Sequence, residues 1–249
     1  MREHERANRA TWDGMSDWYQ AHHGPEISAR PDAWGAWRHP ESGLRLLPEL
    51  GGLDVLELGC GAGQWSVWLA GQDARVTGLD LSGQQLAHAR RAAAAAGVVV
   101  RLVQASAEDV PLAAGSFDLL LSDHGALSWG DPDRTLPEAA RVLRLGGLLV
   151  FCVTSPLFQV CWDDALGAPG ELLRRGYFEL HALDEGGGAA TFNLPYGEWV
   201  GRFRACGLAV EALVEPRPPP GATSTFWEKG TDWARRWPAE LIWKVRRER

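Results

Sequence analysis

The sequence predicts an α/β domain built on a mostly parallel sheet with helices on both faces. Three observations predict it: apolar runs alternate with helix-period segments from residue 54 onward, the first run ends in a cluster of glycines, and the second ends in an acidic residue. At 249 residues the chain is long enough for one well-buried domain with an added segment or two.

Taken in order, residues 1–50 hold two aromatic-rich pieces, 11–19 and 34–38, which read as helices laid over the sheet with a proline-broken joint between them. The first strand, Asp54 to Leu58, leads through the glycine turn into a helix carrying Trp65, Trp68 and Leu69. The second runs from Arg75 to Leu79 and ends at Asp80. Ser82 and Gln85 then fit a capping box, opening an alanine-rich helix that Gly97 terminates. Further strands are expected at Val98–Val103, Phe117–Leu121 and Leu148–Val153, with a helix at about Leu136–Leu143. Beyond Thr154 the alternation loosens. Tyr177–Leu183 and Ala190–Leu194 flank three glycines and read as a hairpin or flexible excursion. A helix at Gly197–Cys206, a strand at Leu208–Glu215, a proline-rich connector at Pro216–Gly221 and a closing strand at Glu240–Arg246 complete the chain. The division that follows is a cover over residues 1–50 and a domain over 51–249, with an insertion at about 155–195.

Composition removes several classes. No apolar run approaches the ~20 residues needed to span a bilayer, and the charged start Met1–Arg6 lacks the apolar stretch of a secretory signal, so a cytoplasmic, membrane-free protein is expected. Cys60, Cys152, Cys161 and Cys206 lack the paired spacing of a zinc or redox site and should be free thiols. A net charge of −7 argues against a nucleic-acid partner; the locally basic Lys244–Arg247 reads as a solvated terminus. Thirteen tryptophans are expected to be mostly core, with several available to line an aromatic pocket.

The turn Gly59-Cys60-Gly61-Ala62-Gly63 joins a strand to a helix, where closely spaced glycines let a ligand approach the backbone. Asp80, at the end of the next strand, is placed to accept hydrogen bonds from a ribose diol. A nicotinamide site would want Gly-x-Gly-x-x-Gly, and Gln64 occupies the place of its last glycine. Such a turn also serves as a plain strand-to-helix joint; the flanking Glu57 and Asp80 favour a cofactor site.

Val55–Gly63 resembles the first motif of class I S-adenosylmethionine (SAM)-dependent methyltransferases. Gly78–Ser82 is similar to the family's ribose-binding segment, Ala105–Pro111 to its adenine loop, Gly115–Leu120 to the start of its fourth strand, and Ala140–Gly147 to the turn before its fifth. The resemblance covers roughly Asp54–Val153. Two further segments, 123–127 and 237–244, resemble a group of small bacterial methyltransferases, type 11-like. The resemblance implies a Rossmann-like, seven-stranded, mostly parallel sheet and an enzyme that binds SAM and releases S-adenosylhomocysteine (SAH). It implies that Glu57, Gly59, Cys60 and Gly61 hold the methionine part, Asp80 and Leu81 the ribose, and Ser106, Ala107 and Glu108 the adenine. Asp123 would lie beneath the sulfonium, with Tyr19, Trp37 and Arg38 from the cover at the amino-acid end. One position departs from the family: its adenine loop often begins with Asp, and here that residue is Ser106, so more of the recognition falls to the backbone around Ala107 and Glu108.

SAM is already activated, so a protein must mainly orient the acceptor and exclude water. A base helps when the nucleophile carries a proton that must leave. His124, just after the fourth strand, is the candidate base; a histidine merely hydrogen-bonded within the turn 123–125 is the alternative. His22 and His23 default to the surface. The 155–177 segment, with Phe158, Cys161, Trp162 and Asp163, falls where this fold inserts an acceptor lid, and with Trp129 it could wall a flat substrate or simply pack on the sheet. Asp163-Asp164 reads as a helix cap rather than a magnesium site. No Asn-Pro-Pro-Tyr-like stretch follows the fourth strand, and a small-molecule acceptor is expected. A SAM-binding protein that transfers nothing, cyclase-type or regulatory, is one alternative, and an RNA methyltransferase a second.

Overall fold

The computed structural model describes residues 1–248. Seven strands form the central sheet: β1 (Asp54–Leu58), β2 (Arg75–Asp80), β3 (Val100–Gln104), β4 (Phe117–Asp123), β5 (Leu143–Thr154), β6 (Leu208–Val214) and β7 (Glu240–Arg247). Their order is β3-β2-β1-β4-β5-β7-β6, with β7 antiparallel to both neighbours and the pairs among β1 to β5 parallel. The expected seven-stranded, mostly parallel sheet is therefore present. The order reverses direction between β1 and β4, which opens a crevice at their carboxyl ends.

Alternating side chains build two cores. Leu56, Leu58, Leu120, Phe151 and Trp243 pack on one face with Trp199 and Phe203. Val55, Leu119, Leu121, Val150 and Ile242 pack on the other with Trp65 and Leu69. A third cluster, containing Trp37, Phe158, Val160 and Trp233, lies outside the sheet and joins the N-terminal cover to the insertion.

The helices around the sheet are α1 (Glu3–Ala29), α2 (Gln64–Ala70), α3 (Gly83–Ala96), α4 (Ala126–Trp129), α5 (Pro132–Val142), α6 (Pro156–Cys161) and α7 (Tyr196–Ala205), with two further single turns at Glu41–Leu44 and Thr231–Ala234. Ser82 caps α3 by accepting from the Gln85 N–H, and Gly97 ends it at φ +68; the return arm of the expected capping box is not formed, because Ser82 N donates to Asp80 and Gln85 Oε1 accepts from Gln20. Helix α5 starts earlier than its apolar spacing suggests, because Asp131 caps it and Pro132 takes the first turn. The glycine-flanked excursion is a hairpin, Ala182–Gly186 against Ala189–Phe192, preceded by a short 3-10 turn at Tyr177–Glu179.

The N-terminal cover differs from expectation. Its first piece belongs to one 27-residue helix that continues through Pro25. The second, residues 34–38, is not helical: Ala33–Trp34 pairs with His39–Pro40, and the intervening turn has Gly35 at φ +70 and Arg38 at φ +50. Left-handed residues at both positions cannot continue a helix. The turn is held by Glu41, whose carboxylate accepts from Trp34 Nε1 and Leu47 N, each at 2.7 Å.

Candidate functional site

A cavity of about 520 Å³ opens at the carboxyl ends of β1, β2 and β4, with α1 across its top; that volume is in the range of small-molecule sites, ~300–1,000 Å³. Its floor is the glycine turn. Gly59 and Gly61 sit at φ +73 and +52, and a Cβ on Gly59 would lie 2.2 Å from the Ala126 nitrogen. Only glycine lets α4 and the turn meet at this distance.

The amides of the turn are largely spent internally. Gly59 N and Cys60 N donate to Leu79 O, Gly63 N to Cys60 O, and Gly61 N to Asp80 Oδ2 at 2.8 Å. Such a turn offers a ligand close approach and carbonyl oxygens rather than the free N–H groups that a phosphate needs. Around it stand the carboxyls of Glu57, Asp80 and Asp123, which all line the cavity. Burial pushes Glu57 up to about 8, with Asp123 and Asp80 adding to the rise, while the Ser66 hydroxyl donates to it. Asp80 is held at both oxygens, by Gly61 N and Ser82 N; burial carries it to about 6 although these N–H groups pull it down. This set of acceptors, with few free N–H groups, suits a cationic, diol-bearing ligand better than one carrying a pyrophosphate.

Leu81, Ser106, Ala107 and Glu108 also line the cavity. Glu108, however, does not offer its side chain. Its carboxylate accepts from His4 at 2.7 Å, from Asp131 N at 2.8 Å and from Arg2, so it anchors the start of α1. The carboxylate that reaches the loop is Glu5, buried beside the Ser106 hydroxyl. Burial pushes Glu5 up, but Ser106 and the N–H and charge of Arg2 outweigh it and hold it below the usual range.

At the far end, Asp123 accepts from Gly35 N at 3.0 Å and from Trp65 Nε1 at 3.1 Å, with the Arg38 guanidinium 3.6 Å away. The buried Arg38 Nε has no partner among the described residues. Tyr19 lines the cavity, its phenol pushed up by burial and by Asp123. Trp37 does not line it: it donates to Thr231 Oγ1 and packs on Trp227 behind the wall.

His124 lines the cavity at φ +49, its N–H donating to Cys152 O. Its Nε2 lies 2.6 Å from Glu240 Oε1, which also accepts from Ala36 N at 2.7 Å. Burial pulls the imidazole down, but the Glu240 hydrogen bond and charge and the nearby Asp123 prevail and hold it above its ordinary value.

The wall facing His124 is aromatic. Phe158, Trp162, Phe226 and Trp227 line it, with Trp227 edge-on to His124 at 5.6 Å and 4.7 Å from Phe158. Trp129 lines the other end, against Trp12. His23 is buried, hydrogen-bonded to Thr225 and stacked on Phe226, contrary to the surface default; His22 is exposed. Asp163 accepts from Ala165 N and Arg174, and Asp164 from Trp162 and Arg175, so the pair fastens a turn. All four cysteines are free thiols. Glu5, Glu240, Phe226 and Trp227 were not singled out from sequence, because each reaches the site from a segment remote from the glycine turn.

Residues 56–151 match the family model described as a methyltransferase domain. The chain is 38% identical over 109 residues to a malonyl-[acyl-carrier protein] O-methyltransferase of Pectobacterium atrosepticum, covering 43% of this chain and 41% of that one. It is 36% identical over 113 residues to a rice chloroplast 2-methyl-6-phytyl-1,4-hydroquinone methyltransferase, covering 45% and 33%. The matches thus span less than half the length of these relatives. Among solved structures, a SAM-dependent methyltransferase from Mesorhizobium loti is 27% identical with a TM-score of 0.67, covering 83% of this chain and 96% of that chain.

Proposed function

We propose that this chain, which carries a class I SAM-dependent methyltransferase domain, transfers a methyl group from SAM to a small-molecule acceptor. The observation that carries the reading is Asp80, a half-buried carboxylate fixed by two backbone N–H groups beside a glycine turn whose own amides are spent. Each of its oxygens keeps a lone pair for a ribose hydroxyl. The carboxyls and carbonyls of the floor suit a ligand bearing an ammonium and a sulfonium, and Arg38, with its unpartnered Nε, suits that ligand's carboxylate. Glu5 beside Ser106 supplies the acid that the adenine loop lacks at that position, the Glu108 carboxylate being spent on Arg2, His4 and Asp131 N.

SAM supplies a methyl carbon on a sulfonium leaving group. The chain's own residues orient the acceptor in line, exclude water with the aromatic wall and α1, and take up any proton the acceptor sheds. Residues 155–195 act as the acceptor lid in this reading, and the cytoplasm is the expected location; no helix among the described residues is long and apolar enough to cross a membrane.

Calorimetry with SAM and SAH on the purified protein tests the cofactor, and SAH release on incubation with acceptor probes tests transfer. Binding of SAM with no turnover across a broad acceptor panel would favour a non-methylating role. Salt-sensitive RNA binding in a shift assay would favour a nucleic-acid substrate.

A further inference from the structure

Glu240 is fully buried at the start of β7, opposite Thr154 of β5. A buried acid is costly unless its partners are good, and this one is held with care. Oε1 accepts from Ala36 N and from His124 Nε2, while Oε2 has no partner among the described residues. The turn over it requires glycine at 35, where a Cβ would lie 2.5 Å from the carboxylate. With Nε2–H given to Glu240, the lone pair of His124 belongs to Nδ1, which makes no hydrogen bond among the described residues and sits on a side chain that lines the cavity. The backbone at φ +49 is itself an uncommon conformation for histidine, of the kind that persists where the surroundings over-determine it.

We propose that Glu240 positions His124 as the general base for an aromatic hydroxyl acceptor, a phenol held against Phe158, Trp162 and Trp227. This rests on the methyl-transfer reading and adds the acceptor class and a positioning residue to it. The acceptor's O–H bond breaks toward Nδ1, which takes the proton. An oxygen lone pair forms the new bond to the methyl carbon, and sulfur keeps the electron pair of the bond it loses. One positive charge enters on the sulfonium and one leaves on the imidazolium, so the site's net charge is unchanged while its location moves toward Glu240. A phenol, with a pKa near that of tyrosine at about 10, is undissociated at neutral pH and gains from such a base; a carboxylate would not. The charges facing the imidazole are Glu240 from β7, Asp123 from β4 and Arg38 from the N-terminal turn, with the Cys152 thiol of β5 3.5 Å away and His39 near Glu240.

The test incubates the protein and SAM with hydroquinone, catechol, benzylamine and benzyl mercaptan, follows SAH release, and records kcat/KM against pH for wild type, Glu240→Gln and His124→Gln. Calorimetric SAH binding and circular dichroism accompany each variant as controls of fold. We expect the two phenols to be turned over, with activity rising with pH as His124 loses its proton. Glu240→Gln should move that limb to lower pH and cut kcat about 10–100-fold, and His124→Gln should cut it about 10²–10⁴-fold, with SAH affinity kept. Should Glu240→Gln fail to fold, His124→Gln decides the matter. Phenol turnover with an unmoved limb in Glu240→Gln, or with near-normal rate in His124→Gln, overturns the proposal. So does turnover confined to the amine or thiol, which leaves methyl transfer standing. Turnover of none of the four by a protein that binds SAH overturns it as well and counts against methyl transfer itself.

Discussion

At the scale of single residues, Asp80 sets an expected pH dependence for cofactor binding. Its carboxyl loses its proton only at about 6, and protonation removes acceptor capacity from the ribose hydroxyls and a negative charge from a cationic ligand. SAM affinity measured by calorimetry should therefore fall as pH drops through about 6. Asp80→Asn should flatten that dependence and weaken binding about 10–100-fold, the size of a hydrogen bond to a charged group. Glu5→Gln should weaken SAH binding while leaving an analogue with inosine in place of adenosine unaffected; equal losses for both would sink the adenine assignment. Two glycines should separate cleanly in thermal melts. Gly97 faces open space at φ +68, so alanine there costs only its backbone conformation, about 1–2 kcal/mol. Gly59→Ala adds the collision with Ala126 N and should cost about 2–5 kcal/mol. Gly59, Gly61 and Asp80 were legible because spacing along one stretch of chain encodes them. Glu240 was not, since its meaning lies in a histidine 116 positions away.

Elements were legible wherever a local signal ends them. The Ser82 cap and the Gly97 stop bound α3 because both act within one turn of the helix. The segment 34–38 misled because aromatic spacing resembles a helical face, whereas its geometry is set by Asp123 and Glu240 accepting the Gly35 and Ala36 amides. Tertiary contacts override local preference there. Helix α1 is similarly fastened from outside. Asn8 donates to Trp129 O and Ala190 O and accepts from Ala190 N, and Asp13 accepts from Ser82 Oγ and Gln84 N at the start of α3. Asn8→Ala strands these backbone groups, so the opening of α1 should become easier by about 1–3 kcal/mol. Hydrogen exchange along residues 3–29 would register it, with the sheet amides unchanged.

For the molecule as a whole, the mostly parallel sheet was legible, because it follows from the alternation of strands and helices; the strand order and the crevice emerge from the structure. The acceptor side was less legible. Its wall combines α6 with Phe226 and Trp227, from a stretch after the proline-rich connector that has no periodicity to read. The cavity is covered by α1, which meets α2 and α3 through Gln20, bonded to Gln64 and Gln85, and meets the loop after β3 through Arg2 and His4, both bonded to Glu108. In the proposed reading α1 roofs the cofactor and would have to open for it to leave, so the lifetime of the bound state would follow the lifetime of these few polar contacts. Exposed Arg6 and Arg9 place trypsin sites on that helix, so SAH should slow their cleavage, and the rate of cutting would report residence time directly.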